Sequence, residues 1–333
     1  MGRGDRVRAV WYDRQGSARE VLNAGELPTP APGPGEVLVH VAASGVNPSD
    51  CNLRAGRFGR KMGFPRIVPH SDGAGTVAAV GAGVTHLRAG DRVWLHNASR
   101  GRAFGTAAEY VALDATLAAP LPKDLPFAHG ACLGVPCMTA WLAVFGDGAV
   151  QGQRVLVTGG AGSVGFYAVQ LASWGGAKVA ATVSGEEKAA HARRAGAELV
   201  LNYRRDDVAG ALREWSGGEG VARVVEVDLG ANLPVTLEAL RVGGVVSMYS
   251  SVAVPEPKLP ALGFMFKNAT VHFLQLGAMP LERRRAAQQG IARWHAEAAP
   301  IHRVAVKVPL AETSAAHEAV ERGERLGAVV VEI

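Results

Sequence analysis

The stretch that most constrains the fold is Gly159-Gly160-Ala161-Gly162-Ser163-Val164-Gly165. It follows a short apolar run, Arg154–Thr158, and leads directly into a helix-forming stretch, Ser163–Trp174. Glycines at 160, 162 and 165 let a backbone turn tightly between a strand and a helix and approach a pyrophosphate, which the free N–H groups of the helix N-terminus then hold. Beyond this loop, apolar runs alternate with helical stretches. The runs Lys178–Val183, Glu198–Leu201, Val221–Val227, Val245–Tyr249 and Thr270–Leu274 read as strands, and Glu186–Ala195, Val235–Leu240 and 281–298 as helices. Strands that are apolar throughout and alternate with helices predict a parallel sheet covered on both faces. The expected fold is therefore α/β, with a doubly wound Rossmann sheet.

Residues 1 to about 125 have a different texture. Short strands such as Val37–Val41, Gly75–Val80 and Arg92–Trp94 are broken by Gly and Pro, which predicts a small barrel or sandwich. Strand texture returns at Val304–Val306 and Ala328–Val331, so the C-terminal segment is expected to rejoin the first domain. The expected division is 1–127 with 299–333 as one domain and 128–298 as the other.

Three cysteines, Cys51, Cys132 and Cys137, exclude a disulfide framework and suit a reducing compartment. The opening Met1–Arg6 leads into no apolar stretch, so no signal peptide is expected. The longest uncharged apolar run, Ala131–Gly146, is short and broken by Gly134 and Pro136, which argues against a membrane span. The expected location is the cytoplasm. The net charge of +5 is spread over short runs, Arg3/Arg6/Arg8 and Arg283–Arg285, without interleaved aromatics, which argues against a nucleic-acid partner.

An NAD site would place Asp or Glu at the end of the second strand, where it binds the ribose 2′-hydroxyl. The residues there are Thr182-Val183-Ser184, and the first acids, Glu186 and Glu187, come later on the helix. Ser184 offers a hydroxyl, Lys188 a positive charge one turn into the helix, and Tyr203 a ring after the third strand. This set predicts a 2′-phosphate pocket and hence NADPH.

The order Pro34-Gly35-Glu36-Val37-Leu38-Val39, Ser44-Gly45-Val46-Asn47-Pro48-Ser49-Asp50, Gly90-Asp91-Arg92-Val93 and Gly159 to Gly165 resembles the medium-chain dehydrogenase/reductase superfamily, in particular its zinc-free quinone oxidoreductase, or zeta-crystallin, branch. The resemblance runs from about residue 7 to the C-terminus. It implies a GroES-like β-barrel domain, a Rossmann domain and NADPH held in the cleft between them. It assigns Asn47 and Thr139 to the nicotinamide half, and Ala161, Gly162, Ser163 and Val164 to the pyrophosphate. Ser184, Lys188 and Tyr203 take the 2′-phosphate and ribose, and Asn232, Ser250, Ser251, Phe273 and Leu274 the nicotinamide side.

Zinc enzymes of the superfamily carry Gly-x-Cys-His-x-Asp and Gly-His-Glu; here Asn47 and Ser71 stand at the ligand positions, and the four-cysteine lobe is missing. A rearranged site of Cys51, His70 and Asp72 is the alternative to reading His70 as a turn or hydrogen-bonding residue. Without zinc, no strong Lewis acid would acidify an alcohol. That leaves hydride delivery to a small, planar, electron-poor acceptor: a quinone or conjugated enone. Asn47 and Asn52 are the candidate catalytic hydrogen-bond donors. Asn52 and Phe58 stand where relatives in this branch often carry tyrosines. Two alternatives stay open: an enoyl thioester reductase with Arg54, Arg57, Arg60 and Lys61 at a basic mouth, and a non-catalytic NADPH-binding protein with an RNA or structural role. The apolar strands 245–249 and 270–274, placed toward one sheet edge, predict a homodimer.

Overall fold

The computed structural model describes residues 6–323 and 325–333. The residues read above for a leader, with Arg3 among them, therefore lie partly outside the described ones. The chain divides into two compact units: the described residues up to Val135 together with those from His302 on, and Pro136–Ile301. The divisions fall after Val135 and Ile301, later than the positions 127 and 298 read from the sequence.

The first stretch forms β1 (Arg6–Trp11), α1 (Ala18–Val21), β2 (Asn23–Pro28), β3 (Glu36–Val46), α2 (Pro48–Ala55), β4 (Asp72–Val80), β5 (Arg92–Leu95), β6 (Tyr110–Asp114), β7 (Ala118–Pro120) and α3 (Phe127–Gly130). The second unit follows with α4 (Met138–Phe145), β8 (Arg154–Val157), α5 (Ser163–Trp174), β9 (Lys178–Val183), α6 (Glu186–Arg194), β10 (Leu199–Asn202), α7 (Val208–Trp215), β11 (Val221–Glu226), α8 (Leu229–Ala239), β12 (Leu240–Met248), α9 (Ala261–Phe266), β13 (Thr270–Phe273) and α10 (Leu281–Glu297). The chain then returns to the first unit with β14 (Val304–Pro309), α11 (Thr313–Arg322) and β15 (Ala328–Glu332).

The second unit is a six-stranded sheet in the order β10-β9-β8-β11-β12-β13, with every pairing parallel. β8 and β11 are buried almost throughout, because helices cover both faces. The strand order reverses at β8, and the loop after it is Gly159–Gly165, at the crevice where ligands bind in such sheets. Two boundaries differ from the sequence reading. α8 starts at Leu229, not Val235, and carries Pro234 inside it, so the proline does not delay the helix. β12 starts at Leu240, and its register against β11 shifts between Val221 and Arg223.

In the first unit, one sheet runs β14-β15-β3-β4-β5-β7 with β6 also on β3, beside the hairpin β1-β2. β3 is the hub. Its first half pairs with β6 and its second half, Ala43–Val46, with β15. Apolar clusters fill the unit, among them one around Val37, Val39, Leu95 and Leu113 and another around Val10, Val68, Ala316 and Val329.

Candidate functional site

The loop after β8 is pinned by its neighbours. Thr158 N–H donates to the Val225 carbonyl, Gly159 N–H to Thr182 Oγ1, and Gly160 N–H to the Thr182 carbonyl. A Cβ on Gly165 would lie 2.2 Å from the Gly159 oxygen, so only glycine lets α5 start this close to the strand. At Gly162, which is exposed and precedes α5, a Cβ would meet only that same oxygen, at 3.3 Å. The open side of this cradle is where a phosphate can approach. The first turn of α5 carries no acidic residue to repel it. Ala161 is buried beneath the loop, and Ser163 and Val164 are half-buried in the first turn.

At the ends of β9 and β10 three expected residues come together. Asn202 is in register with Val183, and Tyr203 N–H donates to the Val183 carbonyl, which sets Tyr203 beside Ser184. Lys188 Nζ donates to Ser184 Oγ at 2.9 Å. Glu186 is engaged by Arg193 at 2.8 Å, and Glu187, directly before Lys188, is exposed. The Arg204 guanidinium lies over the Tyr203 ring. The sequence reading passed over Arg204, although a basic pair directly after Tyr203 was a visible signal.

On the other side of β8, Glu226 ends β11 with no exposed surface. Its Oε1 accepts from Thr158 Oγ1 at 2.9 Å, Asp228 N–H at 2.7 Å and Asn232 Nδ2 at 2.7 Å, and its Oε2 from Thr236 Oγ1 at 2.8 Å. Asn232 is therefore in the first turn of α8 rather than at a strand end. Leu229 N–H donates to the Ser250 carbonyl and Gly230 N–H to Ser251 Oγ, so both serines flank this turn. Leu274 N–H donates to the Met248 carbonyl, while Phe273 is 63% exposed on the edge strand. Thr139 is buried on α4. The sequence reading missed Glu226; a carboxylate inside a valine-rich strand was its signal.

In the first unit, Asn47 is buried at the N-cap of α2. Its Nδ2 donates to Asp72 Oδ2 at 2.7 Å, and its N–H to Asp50 Oδ2 at 2.8 Å. Val135 N–H reaches both Asp72 oxygens. Burial pushes Asp50 up to about 6 against the pull of these N–H groups; burial and then the Asp50 charge raise Asp72 as well. Asn52 is half-buried further along α2, and Phe58 is exposed with a positive φ of 56°.

His70 has Nδ1 2.8 Å from Ser44 Oγ and Nε2 2.9 Å from His317 Nε2. Burial lowers both imidazoles, His70 to about 3, so the pair is neutral and one Nε2 donates to the other. Both His70 nitrogens are thus used within the protein. Among the described residues no group of three or more His, Cys, Asp or Glu is placed to hold a metal ion. No helix among them is long and apolar enough to cross a membrane.

Two family descriptions match this chain: Alcohol dehydrogenase GroES-like domain over residues 33–123, and Zinc-binding dehydrogenase over 163–291. The chain is 34% identical over 239 residues to the quinone oxidoreductase of Rattus norvegicus, covering 72% of this chain and 71% of that one. Among solved structures, Escherichia coli quinone oxidoreductase complexed with NADPH superposes with a TM-score of 0.86 at 27% identity, over 98% of this chain and all of that one. A mycobacterial quinone oxidoreductase gives 0.85 at 31% identity, over 98% and 100%.

Proposed function

This chain belongs to the quinone oxidoreductase family of medium-chain dehydrogenases/reductases, and on that premise we propose that it reduces quinones, and conjugated enones less readily, with NADPH and without zinc. The observation that carries the cofactor reading is the Lys188–Ser184 pair at the end of β9. Bound NADPH would supply the hydride, and water the proton that completes a hydroquinone. Backbone N–H groups at the start of α5 hold the pyrophosphate. Lys188 and Ser184 hold the 2′-phosphate, and Tyr203 covers the ribose.

Asn47, which the family resemblance assigns to the nicotinamide half, is a fixed amide, because Asp72 and Asp50 hold its side chain and its backbone. An amide tied to a carboxylate orients a ligand but transfers no proton. A quinone tolerates this well, since its two-electron product is aromatic and needs little acid assistance. The zinc-free reading is supported by the same bond. The atom at the ligand position is an amide nitrogen committed to Asp72, and the His70 nitrogens are committed to Ser44 and His317. In the thioester reading, Arg54 drops out of any basic mouth: it is 1% exposed and bonded to Glu321.

The homodimer reading is supported by the free edge of β13 and by α9 beside it. Phe266 is 76% exposed and Met265 60%, an apolar surface just before a strand whose outer edge pairs with no described strand. The substrate assignment is tested by NADPH oxidation with 1,4-benzoquinone, 9,10-phenanthrenequinone and crotonyl thioester. Quinones should turn over fastest; faster reduction of the thioester would move the assignment to an enoyl reductase.

A further inference from the structure

A carboxylate with no exposed surface, set among valines, is costly unless donors surround it. Glu226 has four: Thr158 Oγ1, Asp228 N–H, Asn232 Nδ2 and Thr236 Oγ1. Two of these donors, Thr158 and Asn232, follow the carboxyl ends of β8 and β11. Thr158 directly precedes the phosphate loop, and its hydroxyl also accepts from Val227 N–H at 2.9 Å. Asn232 is half-buried in the first turn of α8, its Nδ2 already given to Glu226.

A side-chain amide has one donor end and one acceptor end. With Nδ2 turned to the buried carboxylate, the trigonal amide turns Oδ1 away from it. The position along the sheet then matters. Ser184, Lys188 and Tyr203 lie at the ends of β9 and β10, and the phosphate loop leaves β8. A dinucleotide with its 2′-phosphate at β9 and its pyrophosphate at β8 would place its second nucleoside toward β11 and β12, the next strands of the sheet. Asn232, Ser250 and Ser251 stand at that end.

We propose that Glu226 is a positioning residue that fixes the polarity of the cofactor site: it takes the Asn232 amide N–H, so that the Asn232 carbonyl accepts a hydrogen bond from the nicotinamide carboxamide N–H. This rests on the NADPH reading above and adds which ligand group is read and what orients the reader. The titratable groups facing Glu226 are Asp228, two residues on, and the Tyr249 phenol, which burial and then the Glu226 charge push upward. The residue after β8 and helix α8 present uncharged groups to it: the hydroxyls of Thr158 and Thr236 and the Asn232 amide.

The test compares NADPH with the reduced 3-acetylpyridine analogue, whose methyl ketone keeps the carbonyl and lacks the amide N–H. Dissociation constants come from fluorescence titration. The wild type should bind NADPH about three- to tenfold more tightly than the analogue, the value of one neutral hydrogen bond. Asn232→Ala should bind the two alike, with the loss confined to NADPH. Glu226→Gln keeps an acceptor at the Oε1 position and should retain the preference. Asn232→Asp sets two carboxyl groups face to face; its NADPH affinity should rise as pH falls and the pair takes up a proton. Adding Glu226→Gln to Asn232→Asp should remove that pH dependence.

An undiminished preference in Asn232→Ala, or a pH-independent affinity in Asn232→Asp, overturns the proposal while leaving the cofactor reading intact. Absence of NADPH binding to the wild type overturns both.

Discussion

Removing the Lys188 side chain tests the cofactor assignment most directly. Its Nζ lies 2.9 Å from Ser184 Oγ and is half-buried, so charge and hydroxyl are already placed together at the end of β9 before any phosphate arrives. A hydrogen bond to a charged group is worth roughly 1.5–3 kcal/mol. Partial exposure screens it toward the lower figure. Lys188→Ala should therefore weaken NADPH about tenfold, the equivalent of roughly 1.4 kcal/mol. NADH, which lacks the 2′-phosphate, should bind as before. Fluorescence titration of both cofactors at low and at high salt separates the contributions: the NADPH preference of the wild type should shrink with added salt, and that of the variant should shrink less. Equal affinity of the wild type for both cofactors, or equal losses for both in the variant, would refute the reasoning.

Asp50 titrates near 6 in the folded chain, above its unfolded value, so the folded state holds its proton more tightly and this contribution to stability fades as pH rises from about 4 to about 6. Asp50→Asn keeps an acceptor for the Asn47 N–H. The stability of wild type minus variant should fall across that window by on the order of 2 kcal/mol, read by urea unfolding at stepped pH; a flat difference would count against it. Phe266→Asp places a charge on the exposed apolar surface beside β13 and should yield a one-chain particle by light scattering, where the wild type gives two chains. Chelator should leave quinone reduction unchanged, and elemental analysis should find well under one zinc per chain; stoichiometric zinc lost together with activity would return Cys51, His70 and Asp72 to consideration.

The second unit was largely legible because its signals are local. Apolar strands, a glycine loop and helical stretches follow one another within a few residues, and Lys188 finds Ser184 one helical turn away. Pro234 misled the reading of α8, since a proline six residues into a helix looks like a boundary. The first unit was harder because its determinants are distant pairs. His70 meets His317 across 247 positions and Arg54 meets Glu321 across 267. Helix α11, which carries both partners, had no reading of its own. The positive φ of His70, 78°, agrees with reading it as a turn residue, since histidine is among the side chains enriched there, but its pairing with His317 is a long-range contact. Asp50 and Asp72 lay within motifs already noted, but their joint grip on Asn47 needs the strand β4 to lie beside β3.

The split course of the first unit affects how this chain is made. The second half of β3, Ala43–Val46, ends at Asn47 and receives β15 only when Val329–Glu332 arrive, about 280 residues later. At ~5–20 residues per second, a ribosome needs about 15–60 s to cover that distance. The intervening unit is contiguous and can fold in the meantime. The strand leading to Asn47 must wait with one edge bare, the kind of edge that recruits wrong partners. A chain stopped just short of β15 would thus keep every residue assigned to the 2′-phosphate and the pyrophosphate and still emerge with an open sheet beside Asn47.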